Sequence, residues 1–359
     1  MPPSFDKLDS STVYECGIHN RINARSISWN ASGTSLAMAG SDRTTKLYST
    51  TDLMSSSSSS NSSSSSQVRE LCTINQSVDR VRFHPNQDSI LATASGSDAA
   101  VRLWDVRSSA KASGKIDLST SGSNGSTVDV SWSNNALVVT EKSGSIHVVD
   151  TRKLGNSTIK TSGKTACILK SFQLNPKIVD ACVVSPSGDH LVAATSEDGY
   201  GEVTVWNWKT DNDKKFVYPA HTGPIYSMCF SPDGQHLATG GGDALVGLWD
   251  VNTMVCAATM TRCDRFVRSV SFSYDSQIIA TSTEEASVDL ANSTTGAPIG
   301  SLSLAGNTGL SNRNSSNRNV PGADEIAFHP RTHLLACARC DSGSCSPLTI
   351  AKLMLGRQQ

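Results

Sequence analysis

The stretch "LATGGGDALVGLWDV", Leu237 to Val251, sets three glycines before an aspartate and closes on Trp-Asp. A glycine run can cradle a phosphate, but that chemistry needs a helix behind the loop and a lysine, as in G-x-x-x-x-G-K-[ST]. Neither follows Gly242. The flanking residues are apolar and β-prone, so the segment reads as strand, tight turn, strand. The glycines stand where a Cβ clashes or a positive φ is needed.

The same grammar recurs along the chain. Blocks ending on an anchor residue appear as "RSISW" (Trp29), "DRVRF" (Phe83), "VDVSW" (Trp132), "DACVV" (Val184), "YSMCF" (Phe230), "RSVSF" (Phe272) and "DEIAF" (Phe328). The anchors lie 42 to 56 residues apart. After most of them come a turn, an apolar run, an acid and a further alternating strand. A period of ~40–45 residues stretched by insertions is the propeller period. No segment of helical length carries a 3.6-residue period.

Composition agrees. Only 18% of the 359 residues are charged and the formal net charge is −1, which gives no global pull toward nucleic acid or an anionic membrane. No stretch approaches ~18 consecutive apolar residues. The first residues, "MPPSFDKLDSSTVYEC", lack a charged and then apolar leader, so the expectation is a soluble, intracellular chain. The ten cysteines are then reduced thiols that pack as small hydrophobes.

These repeats resemble the WD-repeat family. The resemblance implies an all-β, seven-bladed β-propeller, in which Ser11–Gly17 supplies the outer strand of the last blade and closes the ring. Residues 1–10 are expected as a tail and 11–359 as a single propeller domain. The family's buried hydrogen-bonded tetrad maps onto His221, Thr239, Asp243 and Trp249. It decays in the third unit, which has "EKSGS" where the acid falls, and in the sixth, which has Glu285 and no Trp.

The text between the repeats resembles one subfamily more closely. "SVDRVRFHPNQDSILATASGSDAAVRLWDVRS" (77–108), residues 241–296 and "DEIAFHPRTHLLACARCD" (324–341) are similar to third subunits of the THO complex. That nuclear assembly couples transcription to mRNA packaging and export, as part of TREX. The resemblance implies a non-catalytic nuclear scaffold held by large helical subunits, with no cofactor and with RNA contact at most indirect.

Two insertions stand out. Residues 55–66, eleven serines and Asn61, are too polar to order themselves and are expected to loop out of the first blade. Residues 306–322 form a second inserted loop, whose Arg313 and Arg318 make only a thin basic patch. Four residues before the anchors stand Arg25, Asp79, Asp180, Tyr226, Arg268 and Asp324. They form either a self-compensating hydrated rim or a partner-docking face, in which Tyr226 and Arg268 are the natural anchors.

Other constellations point elsewhere. His329, His333, Cys337, Cys340 and Cys345 invite zinc, but strand alternation sends Cys337 and Cys340 to opposite faces. His221 and Asp243 with a hydroxyl imitate a catalytic triad, yet inside a blade they have no cleft for a substrate. "WDVR" (Trp104–Arg107) with "VDTR" (Val149–Arg152) resembles the paired boxes of propellers that recruit substrates to cullin–RING ubiquitin ligases. Arg107 and Arg152 then contact the ligase adaptor, or else simply pair with nearby acids.

Overall fold

In a computed structural model, the chain forms seven sheets, antiparallel apart from one added strand, arranged as a β-propeller. The structure describes residues 5–15, 23–55, 69–73, 77–96, 100–108, 112–118, 127–134, 136–153, 158–160, 167–174, 178–210, 215–304, 322–339 and 348–357. The inner strands are Ala24–Trp29, Arg80–Phe83, Thr127–Ser133, Ile178–Val184, Ile225–Phe230, Val267–Phe272 and Ala323–Phe328. Each packs on the next, and the seventh packs on the first, so the ring is closed. All seven anchors fall on these strands or at their ends.

Alternation sends every second side chain of a strand between neighbouring blades. The core is therefore a series of apolar seams rather than one centre. Leu36, Met38 and Tyr48 of blade 1 meet Leu334, Ala336 and Ile350 of blade 7. Ala181, Val192 and Val203 of blade 4 meet Ile225, Leu237 and Trp249 of blade 5.

Blade 7 is built from both ends of the chain. Phe5–Glu15 pairs antiparallel with Leu348–Arg357, with Phe5 opposite Arg357 and Glu15 opposite Thr349. This corrects the expected boundary: residues 5–10 belong to the sheet and not to a tail. The physical reason is the length of the partner strand, which runs on to Arg357 and would otherwise leave that edge unpaired. Of the expected closing segment, Cys16 and Gly17 lie outside the described residues.

Two elements were not foreseen. Thr50–Ser55 forms a short helix after the third strand of blade 1. Thr158–Lys160 leaves blade 3's connection and adds in parallel to Gly114–Asp117, giving blade 2 a fifth strand. The serine run lies outside the described residues apart from Ser55, and so does the second insertion apart from Gly322.

Candidate functional site

The opening stretch forms the turn of blade 5. His221 ends the outer strand of blade 4 (Lys215–His221), and the other tetrad members belong to blade 5. The His221 Nδ1 lies 2.9 and 3.1 Å from the two Asp243 oxygens, and its Nε2 lies 2.8 Å from the Thr239 hydroxyl. Trp249 Nε1 donates to the same hydroxyl at 3.0 Å. The indole can only donate, so the protons run one way: Trp249 to Thr239, Thr239 to His221 Nε2, and His221 Nδ1 to Asp243. Burial alone would push the Asp243 carboxyl up. Bonds from His221 and from the Thr222 and Leu245 amides outweigh it and hold the carboxyl below its ordinary value.

The glycines are required by crowding. A Cβ on Gly241 would stand 2.4 Å from both Asp243 Oδ1 and His221 Nδ1, and one on Gly240 would meet Val267 at 2.4 Å. The positive φ in this turn belongs to Ala244 (63°) and not to the three glycines.

Other blades keep fragments of the network. Trp104 donates to Thr93 at 2.9 Å. In blade 3, Glu141 takes the acid's place and bonds His147, which reaches Ser171. In blade 4 the position two beyond Trp206's partner Leu191 is Ala193, so the buried Trp206 Nε1 has no acceptor among the described residues. In blade 7, Arg339 is fully buried, donating to Leu304 O at 2.7 Å and to the Thr349 hydroxyl at 2.9 Å. It ties blade 7 to blade 6 much as His221 ties blade 5 to blade 4.

Inner strands carry a second pattern, invisible to the repeat grammar. Each has an edge facing its neighbour, and on five of the seven a side chain from the preceding blade caps amides there. Ser26 and Ser28 accept from the Val81 and Phe83 N–H groups at 3.0 and 2.9 Å. Ser131 caps Val184, Ser227 caps Val270, and Ser269 and Ser271 cap Ile326 and Phe328. Glu325 caps Ile27 at 2.8 Å. Blade 4 offers Ala181 and Val183 at these positions and has no capping side chain.

Where the caps give way to charge, a cluster forms. Arg82 NH2 lies 2.7 Å from Glu325 and 3.9 Å from Asp129, and Arg80 Nε lies 3.5 Å from Asp129. Burial works against charge on both Arg82 and Glu325. Their attraction overrides it, so the guanidinium is raised and the carboxyl is held below its usual range.

Rim residues divide into pairs. Arg25 bridges to Asp79, and Asp79 also accepts from the Gly96 amide at 2.7 Å. Arg268 bridges to Glu284 of its own blade. Burial pushes the Asp180 carboxyl up, and its Oδ2 has no partner among the described residues. Asp324 is half-buried. Tyr226 is 37% exposed and sits by the exposed ring of Phe266, centroids 6.4 Å apart. The face thus joins charge pairs over blades 1, 2 and 6 to an aromatic patch over blades 5 and 6.

The remaining candidates separate. Arg107 forks onto Asp105 at 3.0 and 2.7 Å, and Arg152 onto Asp150 at 3.1 and 3.0 Å. His329 bonds Gly33 O, His333 bonds Asp275, and Cys337 is buried, with its thiol pushed up to about 12 by burial. Cys340, Cys345, Arg313 and Arg318 lie outside the described residues. The described residues hold no cluster of three or more metal-ligating side chains.

Known proteins resemble this chain in sequence and in fold. The "WD domain, G-beta repeat" family matches residues 66–105 and 212–250. THO complex subunit 3 of Arabidopsis thaliana is 28% identical over 300 residues, 81% of this chain and 85% of that one. WD repeat-containing protein AAC3 of Dictyostelium discoideum is 30% identical over 293 residues, 76% of this chain and 57% of that one. A chain of a crystal structure of the mitotic checkpoint complex superposes with a TM-score of 0.67 at 17% identity, covering 100% of this chain and 94% of its own, a likeness of fold.

Proposed function

The chain belongs to the WD-repeat family of β-propellers, and from that premise we propose that it is a non-catalytic scaffold subunit of a nuclear THO/TREX-type complex, coupling transcription to mRNA processing and export. The observation that carries this reading is the similarity to THO complex subunit 3 over 81% of this chain and 85% of that one. The tetrad supports a scaffold rather than an enzyme. Its His, Asp and hydroxyl saturate one another, and the His221 and Asp243 side chains are 2% and 8% exposed.

In this reading the partners are the other THO/TREX subunits, large helical proteins, and the rim with Tyr226 and Arg268 is a docking face. A mixed face of exposed aromatic rings and charge pairs suits a protein partner. RNA is met through the assembly, and Arg313 and Arg318 add at most a weak contact. A ubiquitin-ligase receptor role draws less support, because Arg107 and Arg152 each fork onto an aspartate of their own turn.

Affinity purification of the tagged chain from nuclei tests the proposal. Large helical THO subunits should co-purify in stoichiometric amounts, and Tyr226→Ala with Arg268→Ala should weaken their retention. Recovery of an adaptor propeller and a cullin instead would replace this reading with the ligase one.

A further inference from the structure

The seven seams are not stitched alike. On the face opposite the tetrad turns, the loops joining inner and second strands bond across six of them. Ser32 N donates to Asp88, Asn86 to Asn134, Ser133 to Gly188 O, and Asp233 N to Ser276. His333 meets Asp275, and His329 meets Gly33 O. Among the described residues, the blade 4–5 seam has no such bond, and a Cβ on Gly234 would meet Pro186 there at 3.6 Å, an ordinary van der Waals contact. The same seam lacks the capping side chains, because Ala181 and Val183 occupy their positions.

A cavity of about 700 Å³ lies at that place, within the range of small-ligand and side-chain pockets. Val192, Val205 and Tyr218 of blade 4 line it with Phe230 and Met254 of blade 5. These flank the seam's apolar core, which is thus unfinished on one side. Its outer wall is the strand Lys215–His221, paired on one side with Tyr200–Asn207 and on the other with no strand among the described residues. Phe216 lines the cavity from that wall and is 46% exposed.

We infer that this groove binds an extended segment of a partner protein, which adds as a fifth strand to Lys215–His221 and inserts one large uncharged side chain between blades 4 and 5. Two observations fix the occupant. The propeller already accepts a fifth strand at an outer edge, where Thr158–Lys160 pairs with Gly114–Asp117. The mode is strand addition, in which main-chain bonds give affinity and a side-chain pocket gives specificity. The charge of the lining selects the inserted group. Apart from the Tyr218 phenol, its ionisable side chains are His190 and Asp233, both exposed, and Asp233 is engaged by the Ser231 hydroxyl and the Gln235 amide. The interior therefore offers a charged side chain no partner, and desolvation excludes it.

The inference does not depend on which assembly the chain joins. Its test is to pan a phage-displayed library of random dodecapeptides on the purified full chain. Selected peptides should share one aromatic or large aliphatic residue and should slow deuterium exchange in 215–221. Their affinity should fall roughly tenfold or more in Val205→Trp, which fills the cavity, and stay unchanged in Val255→Ser on the neighbouring outer strand. Should Val205→Trp fail to fold, Ser187→Trp at the mouth replaces it. Selection of no peptides, or of peptides that bind filled variants equally or protect another face, overturns the proposal. Peptide binding by a chain that recruits no THO subunit would sink the proposed function and leave the groove standing, and the reverse result would do the opposite.

Discussion

Arg82 on the inner strand of blade 2 reaches past blade 1 to Glu325 of blade 7, with 2.7 Å between NH2 and Oε1. On the way its NH1 donates to Ser26 of blade 1 at 3.1 Å. One guanidinium therefore spans the place where the first and last repeats meet. Removing one partner of such a pair leaves the other charge poorly solvated. Arg82→Met should lower unfolding free energy by about 2 kcal/mol, discounted for partial exposure. Arg82→Met with Glu325→Gln should recover part of that loss, and urea unfolding of the four species measures the coupling.

Acid should act through this cluster and through the tetrad. Glu325 and Asp243 have folded-state values below their ordinary 4.5 and 3.8. Their contribution is present above those ordinary values and is lost as pH falls below them through the folded-state values. Stability measured by urea unfolding should drop steeply below about pH 4.5. Glu325→Gln should show a shallower slope over that interval. An unchanged slope would mean that this carboxylate is not favoured by folding.

The two indoles of blades 4 and 5 make a controlled comparison. Trp249 Nε1 has an acceptor in Thr239, whereas Trp206 Nε1 is buried without one. Both Trp→Phe changes remove similar bulk, but only Trp249→Phe breaks a hydrogen bond. Trp249→Phe should therefore cost about 1 kcal/mol more than Trp206→Phe. Equal losses in calorimetry would count against the tetrad as a source of stability.

The buried Arg339 fork should tolerate no conservative change. Lysine keeps the charge but cannot present two fixed donors to Leu304 O and the Thr349 hydroxyl together. Arg339→Lys should cost about 2 kcal/mol, read from the denaturation midpoint.

The closing strand rests against blade 6, where a Cβ on Gly300 would stand 2.8 Å from that of Leu8. Gly300→Val should loosen the closing strand without touching its hydrogen bonds. The expected signature is faster deuterium exchange in residues 5–15, with little change in blades 2–5.

Much of the architecture was legible because repeat spacing and period-two alternation are local signals, and the tetrad of blade 5 sits at fixed offsets within one repeat. The rest depended on partners far apart in the chain. Nothing near Ser26 or Ser28 announces that their hydroxyls cap amides 55 residues away, since serine abounds in this chain. Arg82 and Glu325 are ordinary strand residues until the ring brings them together. Arg339 occurs in an apolar run where a surface position would look equally plausible. The blade 4–5 groove arises from small and apolar residues at positions that are polar elsewhere, a contrast visible only once the seams are superimposed. For the closing strand a segment within Ser11–Gly17 was legible, but its register and its extension to Phe5 depended on how far the opposite edge ran.

The pairing of Phe5–Glu15 with Leu348–Arg357 sets an order for biosynthesis. During translation the first strand leaves the ribosome and must wait for the last to be made, on the order of tens of seconds at typical elongation rates. Throughout that interval its backbone groups have no mate and blade 1 lacks one neighbour. The nascent molecule is therefore an open, sticky-ended arc, and its dependence on chaperones should be greatest just before Leu348–Arg357 has been made.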